Sequence, residues 1–358
     1  MSLSSCWCAT ALVAAVLLAG APPGTGTAPA TGTAPATGTA GPGDPAPVGY
    51  TNYGAPTQVC VPSDRRLDSV SGIAVTTGGT YVQDDRLGTL WQLDQACRPI
   101  RQLPLPADLG PMIDTEDLAA TKDEWLWIAD IGGNRVRRVA VSLVRLNPAT
   151  GVAERYPLAY PDRPHDAEAL LVSPDGSQVL VVSKSQTGTA TVYAASTPLR
   201  ADTPIRLRAV ALVHVRSLVG RNPGAAAVLV TGGAVSPDGM HVVLRTYTEA
   251  WEWDVTDGDI AHAFRSLPRK VTLPVTKQGE AITYTPDGSA FLVSGEQLAP
   301  IYRVSIDRPR YAPTGVATAG GTPSASGESR AGTVIAVGAI ACVLLLAGAV
   351  VLERRRSH

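Results

Sequence analysis

Three glutamates stand at the head of three apolar runs. Glu116 lies in "DTEDLAATKDEWLWIAD" (114–130), Glu168 in "HDAEALLVSPDG" (165–176) and Glu280 in "QGEAITYTPDG" (278–288). Carboxylates are poor strand formers. Three of them at one offset from a strand-like run and a turn signal ask for a common cause. Oxygen donors gathered at one point are what a hard divalent cation takes.

The elements that would position them are short. Between residues 55 and 307 no amphipathic helix of useful length is legible. Runs of Val, Ile, Leu, Trp and Tyr recur instead, separated by Gly, Pro and Asp. Their openings align as an internal repeat: "SGIAVTTGGTYV", "TEDLAATKDEWLWI", "AEALLVSPDGSQVLVV", "TGGAVSPDGMHVVL" and "GEAITYTPDGSAFLV". Three carry P-D-G, whose Pro and Gly preset a tight turn. Four antiparallel strands recurring about every 50 residues predict an all-β protein with a β-propeller fold. Five blades are expected, with a sixth conceivable in the gap between 168 and 231. The last unit lacks an outer strand, which "TQVCVP" near the N-terminus would supply. A β-sandwich is the rival, but it leaves the fourfold strand count of each repeat unexplained.

In a propeller the first strand of each blade lines the central channel. The repeat then places Ser71, Glu116, Glu168, Thr231 and Glu280 facing one another around the axis. Converging carboxylates repel and are costly to desolvate, and no Arg or Lys occupies an equivalent repeat position. Calcium would neutralise them, accepting carboxylates, hydroxyls and waters in loose geometry. The alternative is that each glutamate caps backbone amides of its own loop, hydrated and without metal.

Further charges fall on loops beside that position. Asp84, Asp85 and Arg86 follow the second strand of blade one; Asp130, Asn134 and Arg135 hold the matching place in blade two. Lys184 and Arg245 correspond in blades three and four. Basic groups around a divalent cation suit a phosphate ester, and the same positions suit solvated turn residues. His165 opens the blade-three motif, fit either to cap a turn or to move a proton. G-x-S-x-G, H-E-x-x-H, P-loop and S-x-x-K motifs are absent from the folded region.

The ends of the chain indicate where it works. Residues 1–21 read as a signal peptide, and 22–54 and 308–330 as flexible linkers rich in Thr, Ala, Pro, Gly and Ser. Residues 331–352 carry no charge over about 33 Å of helix, enough to span a bilayer. "ERRRSH" (353–358) would hold the C-terminus in the cytoplasm. A single-pass protein of the cell membrane follows, with its propeller extracellular and monomeric. In that setting Cys60 and Cys97, the only cysteine pair of the folded region, are expected to oxidise. The near balance of 30 basic and 31 acidic side chains gives no reason to expect nucleic acid.

The run "EDLA", "WIADIGGNRVRR", "HDAEALLV", "LRTYTEA", "QGEAITYTPDG" resembles a family of actinobacterial exported, membrane-anchored propellers described as WD40-like or as similar to the esterase-like region of phytase. That resemblance covers nearly all of 60–305. Such proteins commonly read G-D-N where this chain has Gly132-Gly133-Asn134, so one carboxylate is missing. "VSGIAV", "TEDLAATKDEWLWI" and "KQGEAI" are also similar to blade openings of calcium-activated nucleotidases (apyrases), as is the turn Asp84-Asp85-Arg86-Leu87-Gly88. These are five-bladed propellers with one axial calcium. The resemblance implies calcium at Ser71, Glu116, Glu168, Thr231 and Glu280, with Thr231 where the family prefers serine. Two functions are therefore expected: a binding module for a cell-envelope component or small phosphorylated ligand, or a calcium-dependent hydrolase of phosphate esters or anhydrides.

Overall fold

The computed structural model describes residues 51–308, except 86–87, 134–137, 139, 202 and 221–223. The expected signal peptide, most of both linkers, the expected membrane helix and tail, and Arg86, Asn134 and Arg135 lie outside the described residues. Among the described residues, no helix is long and apolar enough to cross a membrane.

The chain forms five antiparallel blades. Blade one is Val70–Thr76, Gly79–Asp84, Leu90–Leu93 and Pro99–Leu103. Blade two is Asp117–Ala120, Leu126–Asp130, Ala140–Leu146 and Ala153–Ala159; blade three is Ala167–Val172, Val179–Ser183, Ala190–Ala194 and Arg208–Val213. Blade four is Val230–Val235, His241–Thr246, Ala250–Asp254 and Arg269–Val271. Blade five is Gly279–Tyr284, Ala290–Gly295 and Ile301–Asp307, completed by Thr57–Cys60 and Asn52–Tyr53 from the N-terminal side. The closing strand is thus the "TQVC" segment that the sequence nominated. Ordered strand begins at Asn52, slightly before the expected boundary at 55.

Among the described residues, the gap between 168 and 231 holds no sixth blade. That stretch supplies the outer strand of blade three and a two-residue strand, Ile205–Arg206, which runs parallel to the outer strand of blade two. A short helix, Val215–Val219, follows. Too little of the segment is extended to make four strands.

The apolar pattern follows from this geometry. Innermost strands are covered on both faces by neighbouring blades, so Ala167–Val172 and Gly279–Tyr284 are buried at every residue. The hydrophobic core is accordingly divided among the blade junctions. Leu118, Leu126 and Ile128 of blade two meet Ala74, Tyr81 and Leu90 of blade one. Ile73 and Val82 of blade one, with Leu67 just before it, meet Ala281 and Ile301 of blade five and close the ring. Each fully buried aliphatic side chain contributes roughly 1.5–3 kcal/mol. The Cys60–Cys97 disulfide, with Cα atoms 5.7 Å apart, ties the closing strand to blade one.

A candidate cation site at one mouth of the channel

A shared backbone irregularity presents the aligned residues. Pairing between first and second strands slips at Ser71, Glu168 and Thr231, and between Gly279 and Ile282, the stretch that holds Glu280. A β-bulge leaves a residue outside the ladder and re-aims its side chain. In blade two Glu116 precedes the strand, its N–H donating to the Ala129 carbonyl at 2.9 Å. Glu116, Glu168 and Glu280 are only 1–6% exposed.

The structure divides the five aligned positions by role. One carboxylate oxygen each from Glu116, Glu168 and Asp166 lie within 4.8 Å of one another. The Ser71 hydroxyl donates to the Glu116 carbonyl at 2.5 Å, and the Thr231 hydroxyl to the Gly279 carbonyl at 3.0 Å. Each thereby stitches one blade to the next. Glu280 stands further round the ring, close enough for Glu168 to raise the cost of charging it.

Two carboxylates join that the repeat alignment did not select. Asp166 accepts the Gly133 N–H at 2.8 Å. Asp114 accepts the Gly132 N–H through its carbonyl at 3.0 Å, while its own N–H donates to Asp130 at 2.9 Å. A signal for both was present: Asp114 and Asp166 each precede a glutamate by two residues, and in extended chain i and i+2 share a face. Gly132 makes their approach feasible. A Cβ there would lie 2.0 Å from Glu116 Oε1 and 2.6 Å from Asp114 Oδ2. The glycine-rich turn is therefore the floor on which these carboxylates rest.

Asp130 is spent on positioning. Buried in blade two, it accepts Arg138 at 2.9 Å, Arg155 at 2.7 Å and the N–H groups of Ile113 and Asp114. Asp85 lies near enough to Glu280 to disfavour its ionisation. Asp84 is buried at the end of its strand, its carbonyl accepting the Thr115 hydroxyl.

Compensating cations are present: none holds an equivalent repeat position, but Lys184 and Arg245 reach the carboxylates. Lys184 Nζ lies 2.5 Å from Glu168 Oε1 and 2.8 Å from the Tyr247 hydroxyl. It arises from the residue after a second strand, so aligning inner strands could not reveal it. Arg245 is buried deeper and donates to the carbonyls of Ala281 and Ser294 at 2.8 and 3.1 Å. Asp117 closes the axis below: its carboxylate accepts N–H groups from Leu118 (2.8 Å), Leu170 (2.8 Å) and Gly233 (3.2 Å), joining blades two, three and four.

Titration follows from this environment. Burial, then Glu168, Asp114 and Glu280, push the Glu116 carboxyl well up, with Lys184 opposing. Burial and Glu168 do the same to Glu280, and burial raises Asp166 against the Gly133 N–H. Burial would lower the Lys184 ammonium, but Glu168 and Tyr247 outweigh it and its pKa is raised. Burial takes Arg245 down to about 10 despite Glu280 and Asp117. Lys184 therefore covers only part of the charge of five neighbouring carboxyls. An all-oxygen, anionic donor set on a glycine floor, two of its members buried and Asp166 half-buried, fits a hard divalent cation; Glu116, Asp166 and Glu168 would hold it.

Beside this cluster opens a cleft of about 710 Å3, walled by Gly133, His165, Asp166, Lys184 and Ser185. His165 Nε2 sits 2.8 Å from the Tyr193 hydroxyl and 3.0 Å from Asp162, which fixes the ring in the wall. The other mouth holds a smaller cavity of about 210 Å3, lined by Val75, Leu118, Val172, Ala234 and Tyr284.

Neither a protein-family model nor a curated protein sequence matches the chain. Solved structures similar to it include a gluconolactonase from Xanthomonas campestris (14% identity, 66% of this chain and 72% of that one, TM-score 0.41). Another is a PQQ-bound aldose sugar dehydrogenase from Streptomyces coelicolor (10% identity, 72% and 99%, TM-score 0.42). A third is a glutaminyl cyclase from Myxococcus xanthus (13% identity, 73% and 98%, TM-score 0.41). Likeness at this level assigns no activity.

Proposed function

We propose that this protein is a cation-dependent binding module of the cell surface, with calcium at the channel mouth and a small oxygen-rich ligand, such as a phosphorylated compound, in the adjoining cleft. The observation that carries the reading is the convergence of oxygens from buried Glu116 and Glu168 and half-buried Asp166 within 4.8 Å at the edge of that cleft. A bound cation would offset their mutual repulsion and offer open coordination positions to a ligand oxygen. Calorimetric titration of the purified protein with calcium tests it; absence of binding at millimolar calcium would end it. In the same reading the apolar stretch 331–352 anchors the chain in the membrane with the propeller outside the cell, so surface proteolysis of intact cells should release it.

One observation favours a second reading, a calcium-dependent phosphoric-ester or anhydride hydrolase. His165, oriented by Asp162 and Tyr193, faces the cleft that the cation borders, where an imidazole could take a proton from an attacking water. Phosphate release from nucleotides or phytate, present with calcium and lost in His165→Gln, would establish it over simple binding.

A further inference from the structure

Lys184 already stands where a cation would. Its ammonium touches Glu168 at 2.5 Å and the Tyr247 hydroxyl at 2.8 Å, and lies 5.0 Å from the centre of the Tyr247 ring. Its backbone N–H donates to the Asp166 carbonyl at 2.8 Å, so the root of the side chain is fixed relative to the carboxylate cluster. The Lys184 side chain is 11% exposed and that of Glu168 1%. Yet the residue also lines the open cleft, which leaves its flexible stem somewhere to go.

We propose that Lys184 is a tethered monovalent cation that competes for Glu168 and thereby makes the site selective for divalent ions. The inference rests on the cation reading above. Exchanging a tethered single charge for a free one gains no Coulomb energy and forfeits the high effective concentration of the tether. A divalent ion doubles the attraction to every carboxylate it meets, so it can displace the ammonium into the cleft. Sodium and potassium are thus excluded by charge rather than by size. Tyr247 strengthens the hold by giving Nζ a second oxygen and an aromatic face.

The test compares wild type, Lys184→Met and Tyr247→Phe, using calcium calorimetry and melting temperature in sodium chloride against equal ionic strength of N-methylglucamine chloride. Wild type should bind calcium and show no difference between the two salts. Lys184→Met should melt lower without divalent ions, bind calcium at least about tenfold tighter, and gain stability from sodium specifically. Tyr247→Phe, which keeps the charge and removes one partner, should bind calcium roughly threefold tighter and still ignore sodium. If wild type binds calcium while both variants bind it equally or more weakly, Lys184 does not compete and the inference fails alone. If neither wild type nor variant binds calcium, the cation reading fails and takes the inference with it. Should Lys184→Met not fold, the Tyr247→Phe affinity decides.

Discussion

The two mouths of the channel are ends of the same five inner strands, yet their acidic side chains are opposite in character. At the mouth with the carboxylate cluster, buried Glu116 and Glu280 and half-buried Asp166 are crowded by like charge and raised in pKa. At the other mouth the P-D-G turns hold Asp175, Asp238 and Asp287 in one repeated arrangement. The hydroxyls of Ser173, Ser236 and Thr285 donate to them at 2.5–2.6 Å, and the N–H groups of Ser177, Met240 and Ser289 at 2.9–3.1 Å. The Ser173 hydroxyl and Ser177 N–H bring Asp175 down to about 2, and the Thr285 and Ser289 hydroxyls bring Asp287 to about 2. Donor supply and solvent, not residue type, decide whether a carboxylate supports the fold or strains it. The turn aspartates finish a local structure. The channel glutamates leave a charge for something else to neutralise.

Asp117 separates the two mouths, and removing it should have the largest effect. Asp117→Ala leaves three buried N–H groups without their acceptor, a cost of at least about 3 kcal/mol, to be read from urea unfolding. A loss below about 1 kcal/mol would mean that the blades do not depend on this axial tie.

Paired glycine substitutions come next. Gly132→Ala places a methyl 2.0 Å from Glu116 Oε1 and should abolish stabilisation by calcium. Gly176→Ala, in the P-D-G turn at φ +72° with its nearest neighbour 3.8 Å away, should cost about 1 kcal/mol of backbone strain and leave the calcium response intact. Calcium at about 100-fold excess over its Kd should otherwise add about 2.7 kcal/mol, seen as a rise in melting temperature. Equal calcium responses in the two variants would erase the distinction between the mouths.

A third pair separates two carboxylates of the same mouth. Without divalent ions, Glu116→Gln should raise the melting temperature, because it removes a like charge from a buried cluster. Glu168→Gln should lower it, because Lys184 would then be buried without its carboxylate. From the repeat alone both changes are expected to stabilise; the ion pair reverses the second. Both should weaken calcium binding.

The smallest effect is a pH dependence at the turns. Asp175 and Asp287 have folded pKa values below the ordinary 3.8, so their contribution is complete above that pH and lost as pH falls through about 2. The double variant Asp175→Asn/Asp287→Asn should melt below wild type at neutral pH, with the gap closing in acid. Solvent exposure keeps each contribution under about 1 kcal/mol. A gap that widens in acid would contradict the donor-rich description of these turns.

How far the site was legible depends on how each residue reaches it. Glu116, Glu168 and Glu280 were found because one repeat position maps to one place around the axis. Asp114 and Asp166 carried a weaker sign, the D-x-E spacing that puts both carboxylates on one face. Lys184 and Tyr247 carried none that fixed their partners: each follows a second strand and arrives by side-chain reach across a blade junction. Gly132 matches the first residue of the family's G-D-N, from which Gly133 departs, and so carried no sign of its role. Its close contact with Glu116 Oε1 exists only once blade two is folded beneath it.

Apolar runs of fixed spacing, P-D-G turns and the Cys60/Cys97 pair are local or periodic properties, so the sequence by itself determined blades, their number to within one, and the strand that closes the ring. Ring closure decided the rest. In four of the five blades a bulge turns the aligned residue toward or away from the axis, and the inner strands then bring side chains and carbonyls 45 or more residues apart within a few ångströms. Whether Ser71 stitches a blade, whether Glu168 meets a lysine and whether Asp117 seals the channel depend on those last ångströms. Coulomb and hydrogen-bond energies change steeply there, while periodicity along the chain does not register them.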